Sequence, residues 1–460
     1  MMPWARFASL SRHFWVPSPL VTVPVWVDVA CAVLVLGYAG LKLSFPDLFD
    51  WIEPLALVCL WAFFRYGRGL RNDLPVWLLG ASLLVVLIVW LAGSLNHPDM
   101  IRQTLQLEHL ARHFLFVFLA LWLGGQLRNT LTFLGLALFG ILAIPWAHGG
   151  GWPELLTGLG GARVYFDLQN WQHPGMLFGA GLLGWVVLSR RLIGAGPRRV
   201  VLLVGWIAVA GALLVGILVN QTRAVFLALV VVVLLAGMAW LVTRWRVRDR
   251  GTRGAGGWLP VALVTGVILL GALGMERAGL LEPVAERFKA EMHVVSIVAE
   301  GRMDEVPINS IGARILSWQA AWSWFVERPI LGWGANGGTI VMQNSPETTH
   351  EVFRTFGHLH SSYVEMAIRY GLLGVSLYLV LAFWVGWRTW VAWRAGTMPG
   401  DFFAFFSLFF VYWVIVNLFE SYLFFGTGIY LFNVVMAALM GFIWRDRLLG
   451  ARGVRAEKDP

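Results

Sequence analysis

The chain has 460 residues, 58% of them hydrophobic and only 13% charged, with a mean hydropathy of +0.70. A water-soluble domain of that length needs a charged surface that these residues do not supply, so a soluble enzyme is excluded. The net charge of +9 would suit a nucleic-acid binder, but the placement of the basic residues, taken up below, excludes that class as well.

Segments long and apolar enough to cross about 30 Å of hydrocarbon as helices recur along the whole chain. In order they are 25–43, 47–64, 75–95, 110–125, 130–147, 172–189, 200–219, 223–242, 258–275, 359–386, 402–419 and 429–444. Twelve spans predict an all-α fold, a polytopic transmembrane helical bundle; the second, fourth, fifth and last are short, so eleven to thirteen remain compatible. The first span is read as the insertion signal, because the leading MMPWARFASLSRHFWVPSP has no small-residue cleavage site after its first apolar run. Cys31 and Cys59 both lie in apolar segments and indicate neither a disulfide framework nor a metal site. Many of the 51 glycines fall within spans, where small residues let helices approach closely. No internal repeat is evident, which weighs against a transporter built from inverted repeats.

Of the 35 basic residues, 22 fall in seven short segments at one set of helix ends, among them Arg65, Arg68, Arg71, Arg190, Arg191, Arg198 and Arg199. By the positive-inside rule both termini are cytoplasmic, and the basic charge is a topology signal rather than a nucleic-acid surface. The outer side then receives loops 96–110 and 148–171, the tight turn Asn220–Arg223, and one long loop, 276–358. The expected organisation is an N-terminal bundle over 1–275, the loop over 276–358, and C-terminal helices with a cytoplasmic tail over 359–460. Within the long loop, 283–299 reads as an amphipathic helix. The stretch 311–328 repeats Ile311, Ile315, Trp318, Trp322 and Phe325 at helical spacing, an apolar, Trp-rich face suited to the headgroup region or to the bundle.

Ionisable groups at the mouth of a membrane helix are costly and usually serve a purpose. Arg223 joins two strongly apolar helices beside Asn220, Gln221 and Thr222, on the side where a topology arginine does not belong, which favours an anionic ligand over lipid headgroups. Arg163 lies in a loop with Asp167, Gln169, Asn170 and His173, a polar rim or an ordinary hydrated loop. Arg314 opens the Trp-rich helix. The glycines of ERPILGWGANGG (327–338) do not match a phosphate-binding signature and shape the path back to the membrane.

The richest segment is RTFGHLHSSYVEMAIRYGLLG (354–374). Read as a helix, it puts His358, Ser361 or Ser362, Glu365 and Arg369 on one polar face, with His360 on another. Periodicity thus pairs His358 with Glu365, but both histidines sit where a helix begins and regular spacing fails first. Both therefore stand as candidate general bases, since an imidazole exchanges a proton near neutral pH. No HExxH or nucleotide motif is present, so no metal and no cofactor is expected. An anion held by arginines fits a lipid-linked diphosphate, which brings its own leaving group to headgroup depth.

These residues also carry a resemblance. ARILSWQAAWSWFVERPILGWG (313–334) followed by GHLHSSYVEMAIRYGLLG (357–374) resembles the signature of the O-antigen ligase/polymerase superfamily, and NQTRAVF (220–226) resembles its upstream arginine motif. The resemblance covers roughly 200–450 and implies a GT-C-like glycosyltransferase fold with one long periplasmic loop, in the bacterial inner membrane. It implies transfer of an undecaprenyl-diphosphate-linked glycan on the periplasmic side; together with the arginines and histidine read above, the expected mechanism is inverting and needs no metal. The family's essential histidine matches His360, which is followed by Ser361-Ser362-Tyr363-Val364-Glu365; Ser361 stands where Asn is usual. Its arginines match Arg223 and Arg314, and more weakly Arg163, as a diphosphate clamp; Glu365 and His358 join the substrate-binding set. Twelve spans, one dominant outer loop and no large C-terminal soluble domain look most like a ligase, with lipid A–core as acceptor and a monomer as the expected state, though an oligomer is compatible. The alternatives are an O-antigen polymerase, a protein O-oligosaccharyltransferase, and, from a different class, a polar-lipid flippase or transporter. The last would need charges at mid-membrane depth, and apart from Asp28 and Lys42 near the ends of the first span the apolar cores are poor in them.

Overall fold

A computed structural model of the chain describes residues 15–101, 104–194, 196–248, 281–354 and 357–456. The expected ninth span, 258–275, the boundary at 275/276 and the first fourteen residues lie outside them. Every regular element among the described residues is helical. The principal helices are α1 (Val25–Gly40), α2 (Leu55–Tyr66), α3 (Leu74–Asn96), α4 (Phe116–Leu123), α5 (Leu127–Ala147), α6 (Gln172–Val187), α7 (Arg199–Asn220) and α8 (Arg223–Arg248). They continue with α9 (Leu281–Ala299), α10 (Ser310–Glu327), α11 (Gly337–Asn344), α12 (Ser362–Arg394), α13 (Gly400–Phe419) and α14 (Gly426–Ala456).

Among the described residues seven helices are long and apolar enough to cross a membrane: α3, α5, α7, α8, α12, α13 and α14. The chain is thus a multi-pass membrane protein. The expected span 110–125 is instead a broken element, Glu108–Ala111, a 3-10 turn and the eight-residue α4. Phe116, Val117, Ala120, Leu121, Trp122 and Leu123 in it are wholly buried, so its apolarity reflects a place inside the bundle rather than a full crossing. At the centre stands α14, whose apolar stretch is 89% buried, against 17% for α8 at the periphery. It packs on α4, while α6 packs on α7 and α13, α8 on α13, and α12 on α3. Outward-facing Val200, Val201, Val204 and Ile207 on α7, and Leu234 and Leu241 on α8, are exposed, as a lipid-facing surface requires.

Caps fix the helix starts. Asp73 accepts the Leu74 N–H at 2.8 Å ahead of α3, and Asn309 accepts the Ile311 and Gly312 amides ahead of α10. On α10 the buried face is made of small residues, Gly312, Ala313, Ser317, Ala320 and Ala321, which let it lie close against its neighbours. Trp322, from the expected Trp-rich face, is 66% exposed, whereas Trp318 turns its indole N–H to the Leu359 carbonyl at 2.9 Å.

One backbone feature joins the loop helices to the bundle. Helix α12 is interrupted at Gly371, whose φ of 56° and ψ of −156° suit glycine alone. The break frees the carbonyls of Ile368 and Arg369, which accept the N–H groups of Trp333 at 2.7 Å and Gly334 at 2.8 Å. Beyond it, the N–H groups of Leu372 and Leu373 donate to the carbonyls of Pro329 and Ile330 at 2.8 and 3.2 Å. Gly332 and Gly334, at φ of 69° and 80°, let the two backbones meet; a side-chain carbon on Gly332 would run into the Ile368 carbonyl and the Gly371 amide. The glycines of 327–338 and of 371–374 are therefore two halves of one joint.

At the bundle end remote from this joint, basic residues are paired. Arg191 meets Asp401, Arg388 meets Asp446 at 3.1 Å, and Arg447 meets Asp73.

Candidate functional site

The site gathers where α12 begins and α13 ends. Ser361, in extended conformation, is the N-cap of α12, and His360 before it has a φ of 51°, the left-handed region that a residue with a side chain rarely adopts. Such strain persists only where its surroundings over-determine it and clusters at functional positions. Three things hold this turn. Glu365, wholly buried, accepts the Leu359 N–H at 2.7 Å and binds Arg369 at 2.5 Å. Trp318 holds the Leu359 carbonyl. Ser362 lies 2.5 Å from Asn417 Oδ1 and accepts the Leu423 N–H at 3.2 Å, which ties the start of α12 to the end of α13.

That tie delivers Glu420, which is fully buried. Its Oε1 lies 3.2 Å from His358 Nδ1 and accepts the Ser421 N–H at 3.0 Å; its Oε2 lies 3.6 Å from His360 Nδ1 and accepts the Gln172 side-chain amide. The imidazole centroids are 4.2 Å apart, with Phe425 edge-on to His358 at 5.1 Å. Burial alone would raise the Glu420 carboxyl, but the two histidines and the Ser421 N–H outweigh it and hold it down to about 2. Burial pushes His358 below the usual histidine range, against the opposing pull of Glu420. His358 therefore favours its neutral form beside an ionised carboxylate.

Both histidines precede the helix, so the expected polar stripe from His358 to Arg369 holds only for its helical members, Glu365 and Arg369. The choice that periodicity posed between His358 and His360 dissolves, because the turn points both at the same carboxylate. Glu365 holds the turn from below through Leu359.

The arginines lie around this cluster in different degrees. Arg314 feels the charge of Glu420, and burial pushes its guanidinium below the usual arginine range. Its Nη1 donates to the Ser310 carbonyl and hydroxyl at 2.8 and 2.9 Å, while its buried Nε has no hydrogen-bond partner among the described residues. Arg163 donates its Nε–H to the Asn220 carbonyl at 3.1 Å and lies over Trp171. Arg223 opens α8, next to the same turn, and forms an ion pair with Glu291 of α9. Asn220, Gln221 and Thr222, read from the sequence as company for an anion, brace the 148–171 loop instead. Asn220 holds the Val164 carbonyl, Gln221 that of Gly161 and Thr222 that of Trp171. The structure thus brings His358, His360 and Glu420 together with Arg314 close by, and sets Arg163 and Arg223 at one neighbouring turn.

Sequence reasoning missed Glu420 and Gln172. Glu420 ends the apolar run 402–419 without a basic neighbour in the chain, a carboxylate where a membrane helix emerges, and that was the available signal. The sequence suggests no metal-ligating cluster, yet the fold assembles one candidate set among the described residues: ligand atoms of His358, His360 and Glu420 all lie within 4.8 Å of one another. Spacing rules could not show it, because the glutamate is sixty residues downstream.

Helices α6, α8, α12 and α14 all begin at this end, so four positive helix termini add to the arginines around the site. Among proteins of known type, residues 208–379 match the family described as O-Antigen ligase. That match supports assignment to the O-antigen ligase/polymerase superfamily. The matched segment runs from α7 into α12 and includes Arg223, Arg314, His358, His360 and Glu365, but stops short of Glu420 and begins after Arg163 and Gln172. No curated protein matches the chain. Family membership supports a transferase that handles lipid-linked glycans, and gives no role to Glu420.

Proposed function

We propose that the chain is an O-antigen ligase that transfers a glycan from undecaprenyl diphosphate to lipid A–core, and that His360 is its general base. The observation that carries this reading is the buried Glu420 carboxylate facing the two imidazoles, beside the partnerless Nε of Arg314. A carboxylate beside Nδ1 keeps the proton on that nitrogen and leaves the Nε2 lone pair free to accept one, the logic by which an acid orients a catalytic histidine. His360 Nε2 takes the proton of an acceptor hydroxyl as its oxygen bonds to the anomeric carbon. The bond from that carbon to the diphosphate oxygen breaks, the electron pair leaves with undecaprenyl diphosphate, and the anomeric centre inverts. Arg314 and Arg223, with Arg163, stabilise the charge that grows on the leaving group, so that guanidinium groups serve where other enzymes use a metal ion. His358 shares Glu420 and lines the acceptor side; Glu365 positions the turn.

The fold assigned with this function is GT-C-like. Both termini lie in the cytoplasm of a bacterium and the site faces the periplasm. The arginine pairs at the opposite end of the bundle are in keeping with that orientation.

The test uses purified protein with EDTA and undecaprenyl-diphosphate glycan, with and without lipid A–core, comparing wild type with His360→Ala. A lipid A–core conjugate made only by wild type is the expected result. Lengthened lipid-linked chains made without the acceptor would instead identify a polymerase. Equal activity in His360→Ala would remove the base from the mechanism.

A further inference from the structure

We propose that His358, His360 and Glu420 form a binding site for a divalent transition-metal ion of the zinc type, and that its occupation silences the enzyme. The second half rests on the function proposed above; the first does not.

Two imidazole nitrogens and a carboxylate oxygen are a donor set that suits zinc, which takes three protein ligands and leaves a fourth position open in its non-structural sites. Ligand distances of about 2.0–2.2 Å around a tetrahedral ion imply edges of roughly 3.3 Å. The separations of Glu420 oxygens from His358 Nδ1 and His360 Nδ1 are 3.2 and 3.6 Å, and the three ligand atoms lie within 4.8 Å of one another. Small rotations of two half-buried rings close the set. The carboxylate is itself held in place by the Gln172 amide and the Ser421 N–H, the outer partners that fix a ligand's direction. The positive φ of His360 and the tie from Ser362 to Asn417 fix the spacing of the two histidine-bearing and carboxylate-bearing segments. His358 Nδ1 would give up the His360 N–H, now 3.3 Å away. Arg314 opposes a dication and limits the affinity.

The consequence follows from the tautomer. An ion on Nδ1 of a neutral imidazole displaces the proton from that nitrogen and leaves the other nitrogen protonated. His360 Nε2 then has no lone pair for the acceptor hydroxyl. Metal and base use the same residue in incompatible states, so zinc should inhibit.

The experiment is metal binding to the full chain in detergent, by equilibrium dialysis with Zn²⁺ and by the visible absorption of Co²⁺ as a spectroscopic stand-in, with transfer activity measured in parallel. One ion per chain is expected in wild type, with the intense bands of tetrahedral Co²⁺. Binding should weaken at least tenfold in Glu420→Gln and in His358→Gln, with helical content and melting temperature checked for each. Saturating Zn²⁺ should lower activity at least tenfold, and EDTA should restore it. Absence of stoichiometric binding, or binding undiminished in both variants, would overturn the site even if EDTA-treated enzyme is fully active and the proposed mechanism stands. Activity lost to EDTA and regained with Zn²⁺, together with binding to these residues, would retain the site and refute both its silencing role and the metal-free mechanism.

Discussion

Replacing Glu420 with glutamine tests the centre of the proposal while nearly preserving shape. In the native site the carboxylate accepts from the Gln172 amide and the Ser421 N–H and faces two Nδ1 atoms at 3.2 and 3.6 Å. A carboxylate can accept from both donors on either oxygen while it faces the imidazoles, because both oxygens only accept. An amide has one accepting oxygen and one donating NH2. Oε2 faces Gln172 and His360, and Oε1 faces Ser421 and His358. With the NH2 in place of Oε2, two donors collide at Gln172, and the NH2 favours the tautomer with His360 Nδ1 unprotonated, in which Nε2 carries a hydrogen and no longer accepts one. With the NH2 in place of Oε1, two donors collide at the Ser421 N–H. A positioned general base contributes about 10²–10⁴ in rate, so kcat should fall by that factor, about 2.7–5.5 kcal/mol in barrier. The buried mismatch should also destabilise the fold by about 1–3 kcal/mol. The assay is single-turnover transfer from a fluorescent lipid-linked donor, alongside binding of that donor and a melting curve in detergent. Donor affinity should be nearly unchanged, because the arginines are untouched. Activity within about threefold of wild type in folded protein would refute the orienting role of Glu420.

Other perturbations follow from the same geometry. Arg314→Lys keeps the charge but removes the planar fork and the partnerless Nε, and should reduce transfer by about 10–100-fold in kcat/KM for the donor, read by initial rates. Glu291→Gln releases Arg223 from an ion pair that a donor diphosphate would have to displace; as Arg223 is half exposed, the donor KM should fall only about two- to fivefold, an amount matching a solvent-screened pair. Gly371→Ala places a side chain at a φ of 56° against the Ile330 carbonyl, and should destabilise the protein by at least about 1–3 kcal/mol, seen as a lowered melting temperature. Trp318→Phe deletes the bond to the Leu359 carbonyl at a stability cost of about 1 kcal/mol, and should lower kcat several-fold by loosening the His360 turn, with KM little changed.

The helices and the chemistry-bearing segment were legible because both depend on local pattern. Long apolar runs announced α3, α5, α7, α8, α12 and α13, and the polar cluster at 354–374 stood out against its apolar surroundings. The i to i+4 pair Glu365–Arg369 followed from helical spacing alone. What stayed hidden needs contacts between distant parts of the chain. The φ of His360 breaks the helix one residue before its N-cap, so the two histidines turn to Glu420 in a way that a helical projection cannot represent. Likewise α4 reads as a span because complete burial in protein and burial in lipid select the same side chains. The role of Asn220, Gln221 and Thr222 as braces depends on carbonyls of a loop some fifty residues away.

The glycine joint links these two levels. It ties the segment that follows α10 to α12 around Gly371, and so links the helix carrying Arg314 to the helix whose first turn follows His360. In the proposed mechanism Arg314 and His360 serve opposite ends of one displacement, the leaving diphosphate and the entering hydroxyl, and misplacement by about 1 Å can cost 10²-fold. A hinge at Gly371 without the Pro329–Gly334 segment would leave that distance unset. The pairing of Trp333 and Gly334 with the carbonyls of Ile368 and Arg369 sets it through backbone bonds, which do not depend on side-chain packing in a lipid-exposed region. Under the proposed mechanism the requirement for glycine at 332, 334 and 371 becomes a requirement of the chemistry, transmitted through the relative placement of two helices. An intact Glu420 in a chain with a broken joint should bind donor and transfer nothing.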